Sequence, residues 1–185
     1  MKRLILGLPL LALASAAQAN TGTINFTGEI LSGGTCPIEI IAPGGGSNGT
    51  VEMGEAYASD FRGAGTEHNN RTFNLRVTDP TQCTGWDPSN PDQNAAVVKF
   101  DGRHGGASGD TLFALNPDNS PAGGIALGIR DASGKLVGHG ARSEEYALNA
   151  SGNTDLNFTA HYRSTAATVT PGHANADVSL EVIVN

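Results

Sequence analysis

Apolar and polar residues alternate with period two along most of this chain, in runs that are short. The first, NTGTINFTGEI at residues 20–30, puts Ile24, Phe26, Gly28 and Ile30 on one face of an extended segment and Asn25, Thr27 and Glu29 on the other. Such alternation marks a strand with one buried side. TVEMGE sets Val51 and Met53 together, TFNLRV sets Phe73, Leu75 and Val77 together, and AVVKF and TLFAL follow. GIALGI aligns Ile125, Leu127 and Ile129, and RDASGKLV then turns through Asp131 to Gly134 as a hairpin. LNFTAHY aligns Leu156, Phe158, Ala160 and Tyr162, and VSLEVIVN aligns Val178, Leu180, Val182 and Val184. No stretch holds a 3.6-residue period for three turns. The segments APGGGSNG, EHNN, GWDPSNPDQN and NPDNSPAGG read as loops, none long enough to separate two domains. The pattern predicts one all-β domain, a sandwich of immunoglobulin type.

Both ends of this pattern are strands in need of partners. The last run carries Ile183 on its second face and then the chain stops. A terminal strand this hydrophobic needs both edges paired or covered, or it becomes a site of aggregation. The first run poses the same problem, because chain ends fray unless something holds them. Pairing inside the domain and pairing with another molecule both satisfy the periodicity.

The residues before the first run supply an address. MKRLILGLPLLALASAAQA has a basic start at Lys2 and Arg3, an apolar stretch from Leu4 to Leu13, and small residues ending in Ala17-Gln18-Ala19. This is the plan of a signal peptide, with cleavage expected between Ala19 and Asn20. The apolar stretch is short for a membrane span, and no later run approaches the roughly 20 residues such a helix needs. The expected mature chain of 166 residues (185 − 19) carries 9 basic and 18 acidic side chains. No basic cluster interrupts that acidity, which argues against nucleic acid as a partner. In an oxidising compartment the two cysteines, Cys36 and Cys83, read as one disulfide. The competing reading, metal binding or thiol catalysis, lacks both a C-x-x-C and a histidine at ligand spacing.

Candidate chemistry is sparse. His68, His104, His139 and His173 lie in Gly-rich and polar surroundings that read as exposed loops, and His161 alternates out of phase with Ala160 and Tyr162, toward solvent. No catalytic or phosphate-binding motif occurs. Asp110 and the adjacent Glu144 and Glu145 read as a solvated acidic surface, and DPSNPDQN lacks the ligand spacing of a calcium loop. The expectation is a protein with no catalytic residues, cofactor or metal.

Several blocks, in order, resemble the major fimbrial subunits of the chaperone–usher pathway, close to the type 1 pilins. GTINFTGEI followed by Cys36 is similar to the family's N-terminal extension, with its apolar–x–Phe–x–Gly–x–apolar pattern. TVEMGE, FNLRVTDPTQC, GIALGIRDASGKLV and LNFTAHYRST resemble successive strands, and TPGHANADVSLEVIVN resembles the C-terminal motif, with Gly172 fourteenth from the end. Val184 departs from the family's penultimate aromatic. The resemblance implies an incomplete immunoglobulin-like sandwich, completed by a donor strand from a neighbouring subunit. It implies a division into a signal peptide (1–19), a donor-strand extension (20–32) and a pilin domain (33–185). Ile24, Phe26, Gly28 and Ile30 become donor residues, and Gly172, Val178, Leu180, Val182 and Val184 form the groove and the strand a chaperone contacts. The implied partners are other copies in a head-to-tail filament, a periplasmic chaperone and an outer-membrane usher, and the implied destination is a cell-surface fimbria. A minor or tip-proximal subunit contributing to receptor adhesion, and a self-contained secreted sandwich, are the competing readings.

Overall fold

A computed structural model describes residues 24–25, 36–42, 49–117 and 120–185. Its strands in chain order are β1 (Ile24–Asn25), β2 (Ile38–Ile41), β3 (Thr50–Val51), β4 (Glu67–Val77), β5 (Ala95–Gly102), β6 (Gly106–Ala107), β7 (Leu112–Phe113), β8 (Ile125–Arg130), β9 (Tyr146–Ala147), β10 (Thr154–Ser164) and β11 (Val178–Val184). Six of them form one antiparallel sheet in the order β2-β4-β10-β8-β7-β6, and three form a second in the order β11-β5-β9. The two-residue strands β1 and β3 pair with each other, Ile24 opposite Val51.

The period-two pattern dictates how the sheets meet. Phe73, Leu75 and Val77 on β4 and Leu156, Phe158, Ala160 and Tyr162 on β10 line one inner face, with Leu127 and Ile129 from β8. Ala96, Val98 and Phe100 on β5 and Val178 and Val182 on β11 line the other. Phe158 joins the layers, stacked on Phe73 at 5.6 Å, edge-to-face with Phe100 at 5.1 Å and tilted against Tyr146 at 5.6 Å. Aromatic pairs in these geometries add to what area burial alone contributes.

The disulfide joins Cys36 and Cys83, just before β2 and just after β4. Among the described residues β2 pairs only with β4, with Ile38 opposite Val77. Pro37 O accepts the Thr78 N–H at 3.0 Å, so the covalent bridge clamps the end of a pair the backbone already closes. A second clamp organises the loop after Cys83. The buried Asn94 amide donates to the carbonyls of Asp87, Asn90 and Pro91, and its Oδ1 accepts the Asp87 N–H at 2.7 Å.

The structure corrects three sequence readings. EHNN is not a loop but the start of β4, so His68 belongs to a strand. Asn69 and Asn70 together face one residue of β10 in a β-bulge, with Asn69 at φ +57°, which disguises the strand as a linker. TVEMGE is a strand only at Thr50–Val51, although Val51 and Met53 are both buried. His161 does lie on the face opposite Tyr162, but it is wholly buried rather than solvated.

The chain-entropy account of the disulfide, applied to a sequence separation of 47, gives a stabilisation of roughly 4 kcal/mol. Replacing both cysteines by alanine should lower the denaturant midpoint accordingly, and reducing agent should leave that variant's midpoint unchanged while lowering the wild type's.

Candidate functional site

Strand β11 follows the sequence pattern closely. Val178, Leu180, Val182 and Val184 face inward opposite Gly102, Phe100, Val98 and Ala96 of β5. Val178 and Val182 are buried, and Leu180 and Val184 pack against the core while partly exposed. The bonds flanking the ladder fix which backbone groups β5 uses. Arg103 N–H donates to Asp177 O at 2.9 Å, and Asn185 N–H donates to Ala95 O at 2.9 Å. In an antiparallel ladder hydrogen-bonded pairs alternate with non-bonded ones. The even-numbered residues of β11 therefore direct their N–H and C=O groups away from β5. Among the described residues no strand pairs with that side of β11.

At the N-terminal end of this edge lies an apolar pocket of about 150 Å³. One wall is the chain just after β3, with Gly54, Ala56 and Ala58; the other is the chain leading into β11, with Pro171, Gly172 and Ala174. Tyr162, Phe61 and Ile125 contribute the larger apolar surfaces. Tyr57 stands at the rim, 63% exposed, where every other large apolar side chain among the described residues is at least partly covered. The Tyr162 hydroxyl donates to Ala174 O at 2.9 Å, which fixes the approach to β11, and burial holds that phenol well above its ordinary pKa. It therefore acts as a neutral donor at any pH the fold experiences.

Gly172 sits where two backbones nearly touch. A Cβ there would come within 2.5 Å of Ala122 N and 2.6 Å of Ser120 O. Around it Ala122 N–H donates to His173 O and His173 N–H to Ser120 O, lacing the two segments together. The far end of β11 is held in a similar way. Gly85, at φ +95°, lies against Val184, and a Cβ would be 2.8 Å from its carbonyl oxygen. Trp86 packs on the core beside this turn.

Of the predicted donor residues, Ile24 lies in β1 on the edge of β3; Phe26, Gly28 and Ile30 fall outside the described residues, as do Ala19 and Asn20. The predicted groove residues Val178, Leu180, Val182 and Val184 share one face of β11, with Gly172 at the pocket. Sequence reasoning missed Tyr57, Phe61, Gly85 and Trp86, which lie in segments without alternation. Tyr162 was legible as inward-facing, but its position beside Ala174 depends on tertiary structure. Among the described residues no group of three or more metal-ligating side chains gathers. His139 accepts a hydrogen bond from Gly102 N at 3.0 Å, and Asp110 and Glu145 are exposed.

A model of the family described as "Fimbrial protein" matches residues 24–185. The chain belongs to the fimbrial protein family. This fimbrial protein is 32% identical over 186 residues to the probable major fimbrial subunit LpfA of Escherichia coli O157:H7, covering 98% of its own length and 96% of that protein. It is 29% identical to the fimbrial subunit type 1 of Klebsiella pneumoniae, covering 92% and 87%. Among solved structures, a Burkholderia pseudomallei antigen and type I fimbria protein superposes with a TM-score of 0.52 at 30% identity, over 90% of this chain and 98% of that one. The P pilus rod subunit PapA superposes with a TM-score of 0.54 at 17% identity, over 80% and 99%, a likeness of fold. The fold is thus the immunoglobulin-like sandwich of pilins, and the protein is a structural subunit of a surface fimbria.

Gly172→Ala forces two hydrogen-bonded backbones apart, and overpacking of this kind costs about 1–3 kcal/mol. The expected outcome is a lower melting temperature with faster proteolysis between residues 166 and 176. Gly85→Ala meets both a left-handed φ and the Val184 carbonyl, and should free the C-terminal residue, seen as faster amide exchange at Asn185.

Proposed function

We propose that this fimbrial subunit polymerises by strand addition, in which residues 24–30 of one copy occupy the free side of β11 in the next. The observation that carries the proposal is the outer edge of β11, apolar in its inward side chains, with which no strand among the described residues pairs. Added strands gain affinity from main-chain hydrogen bonds and register from side-chain pockets. Ile24, Phe26 and Ile30 supply the alternating apolar side chains, each worth roughly 1.5–3 kcal/mol on full burial before the costs of association. Gly28 marks the position where a side chain would hold the two backbones apart. The pairing of Ile24–Asn25 with β3 within one chain supports the capacity of this stretch for edge pairing. In the fibre its acceptor is another copy. Contacts of this head-to-tail kind do not close on themselves, so the product is a filament.

The same edge dictates the route. Before assembly it must be covered, and we assign that role to a periplasmic chaperone that lends a strand to β11. Exchange for the next subunit's residues 20–32 takes place at an outer-membrane usher. The scheme begins with export and cleavage between Ala19 and Asn20, leaving residues 33–185 as the acceptor domain.

Deleting Thr21–Ile30 should leave a folded subunit that accumulates in the periplasm bound to its chaperone, with no fimbriae on the surface; normal fimbriae would refute the scheme. Gly28→Leu should shorten or abolish fibres, and wild-type lengths in electron micrographs count against a register that places residue 28 at the tight spot.

A further inference from the structure

One buried ionisable side chain has no part in strand addition. His161 is wholly inaccessible, and neither ring nitrogen has a hydrogen-bond partner among the described residues. It lies on the outer face of the six-stranded sheet, opposite Gly128 of β8, where a Cβ would come within 2.3 Å of Nε2. Glycine at 128 is what lets the imidazole rest on the sheet. Three charged side chains face the ring: Glu67 from β4, Arg130 from β8 and Arg163 from β10 itself. Glu67 Oε1 accepts from Arg130 Nη2 at 2.6 Å and Arg163 Nη1 at 3.3 Å, and lies 3.4 Å from His161 Nε2. One carboxylate thus already serves two guanidinium groups. A protonated imidazole would be a third cation competing for it, on a ring that is itself fully buried.

The position of the ring links this cluster to the pocket. His161 stands opposite the bulge of β4, where Asn69 and Asn70 face a single β10 residue. The next residue, Tyr162, points to the other side of the sheet, lines the pocket and bonds Ala174 ahead of β11. We propose that His161 is an acid-sensitive latch: its protonation unseats the imidazole from Gly128 and Glu67, loosens the bulge, and releases Tyr162 and Ala174 at the mouth of the β11 edge. The consequence for strand binding rests on the acceptor role proposed for that edge; the titration and the loosening do not.

The direction follows from the surroundings. Burial lowers the pKa of His161 most; Arg130 and Arg163 lower it further, against an upward pull from Glu67 that is smaller than the effect of burial. The folded state therefore favours the neutral ring. Its contribution to stability is complete above the unfolded value of about 6.5 and is lost as pH falls below it.

Histidine C2 hydrogen–deuterium exchange on intact fimbriae or the full subunit reads the titration directly. The midpoint of His161 is expected below 6.5, and in Arg163→Gln, a half-exposed position, it should rise. Backbone exchange at residues 160–163 and 174–176, corrected for intrinsic pH dependence, should increase about tenfold between pH 7.5 and 5 in the wild type and stay flat in His161→Gln. A wild-type midpoint at or above 6.5, or no shift in Arg163→Gln, overturns the latch even if His161→Gln fails to fold. Equal exchange changes in wild type and His161→Gln overturn its coupling to the pocket. Loss of fibre assembly in the donor-strand deletion bears on neither measurement, so the two ideas fail separately.

Discussion

A β-strand that, among the described residues, is bonded on one side only is the constraint around which this molecule is arranged. Each residue of β11 that faces the core also directs its amide and carbonyl away from β5. The strand is therefore anchored by β5 on one side, and no strand among the described residues pairs with the other. Buried backbone groups left without partners are costly, and an apolar edge left open invites association. Other features keep that edge straight. Gly172, together with the bonds His173 exchanges with Ser120 and Ala122, fixes the entry to β11, and Tyr162 holds Ala174. Gly85 and the Asn185–Ala95 bond fix the exit. A flexible strand would lose more entropy on accepting a partner, so holding both ends favours association before any partner arrives.

The asymmetry of the sandwich follows from the same constraint. The larger sheet has six strands against three, and Phe158 reaches from it to Phe100 and Tyr146 on the smaller one. The core is thus complete beneath β5 and thins toward β11, where Leu180 and Val184 are only partly covered. Stability and reactivity are spatially separated. The aromatic cluster and the disulfide secure the body, and the edge proposed for assembly lies where burial is less complete.

Legibility in the sequence divided along physical lines. Long alternating runs such as TFNLRV, LNFTAHY and VSLEVIVN gave their strands and inward faces, because one side of each is buried and a register slip would expose it. EHNN misled because a bulge needs an extra residue in an unusual conformation, and Asn supplies that while also being a loop residue. His161 misled for a related reason. Alternation assigns a face, but burial on the outer face comes from Glu67, Arg130 and Arg163 reaching over a glycine, and no local pattern encodes it. The pocket was illegible because its walls come from segments more than a hundred residues apart. The partner proposed for the strand lay beyond periodicity altogether and came only from resemblance.

The loop held by Asn94 has a different significance. Asp87 to Gln93 are all exposed, and three of the bonds that shape the loop run from one buried amide to main-chain carbonyls. The conformation is therefore written largely in a residue that solvent never meets, with the exposed Asp87 carboxylate adding bonds from Ser89 N and Asn90 Nδ2. In a polymer that repeats its surface along its length, such a loop is a place where the displayed side chains other than Asp87 and Asn90 are free to drift, and with them whatever an antibody sees, without disturbing the sandwich beneath.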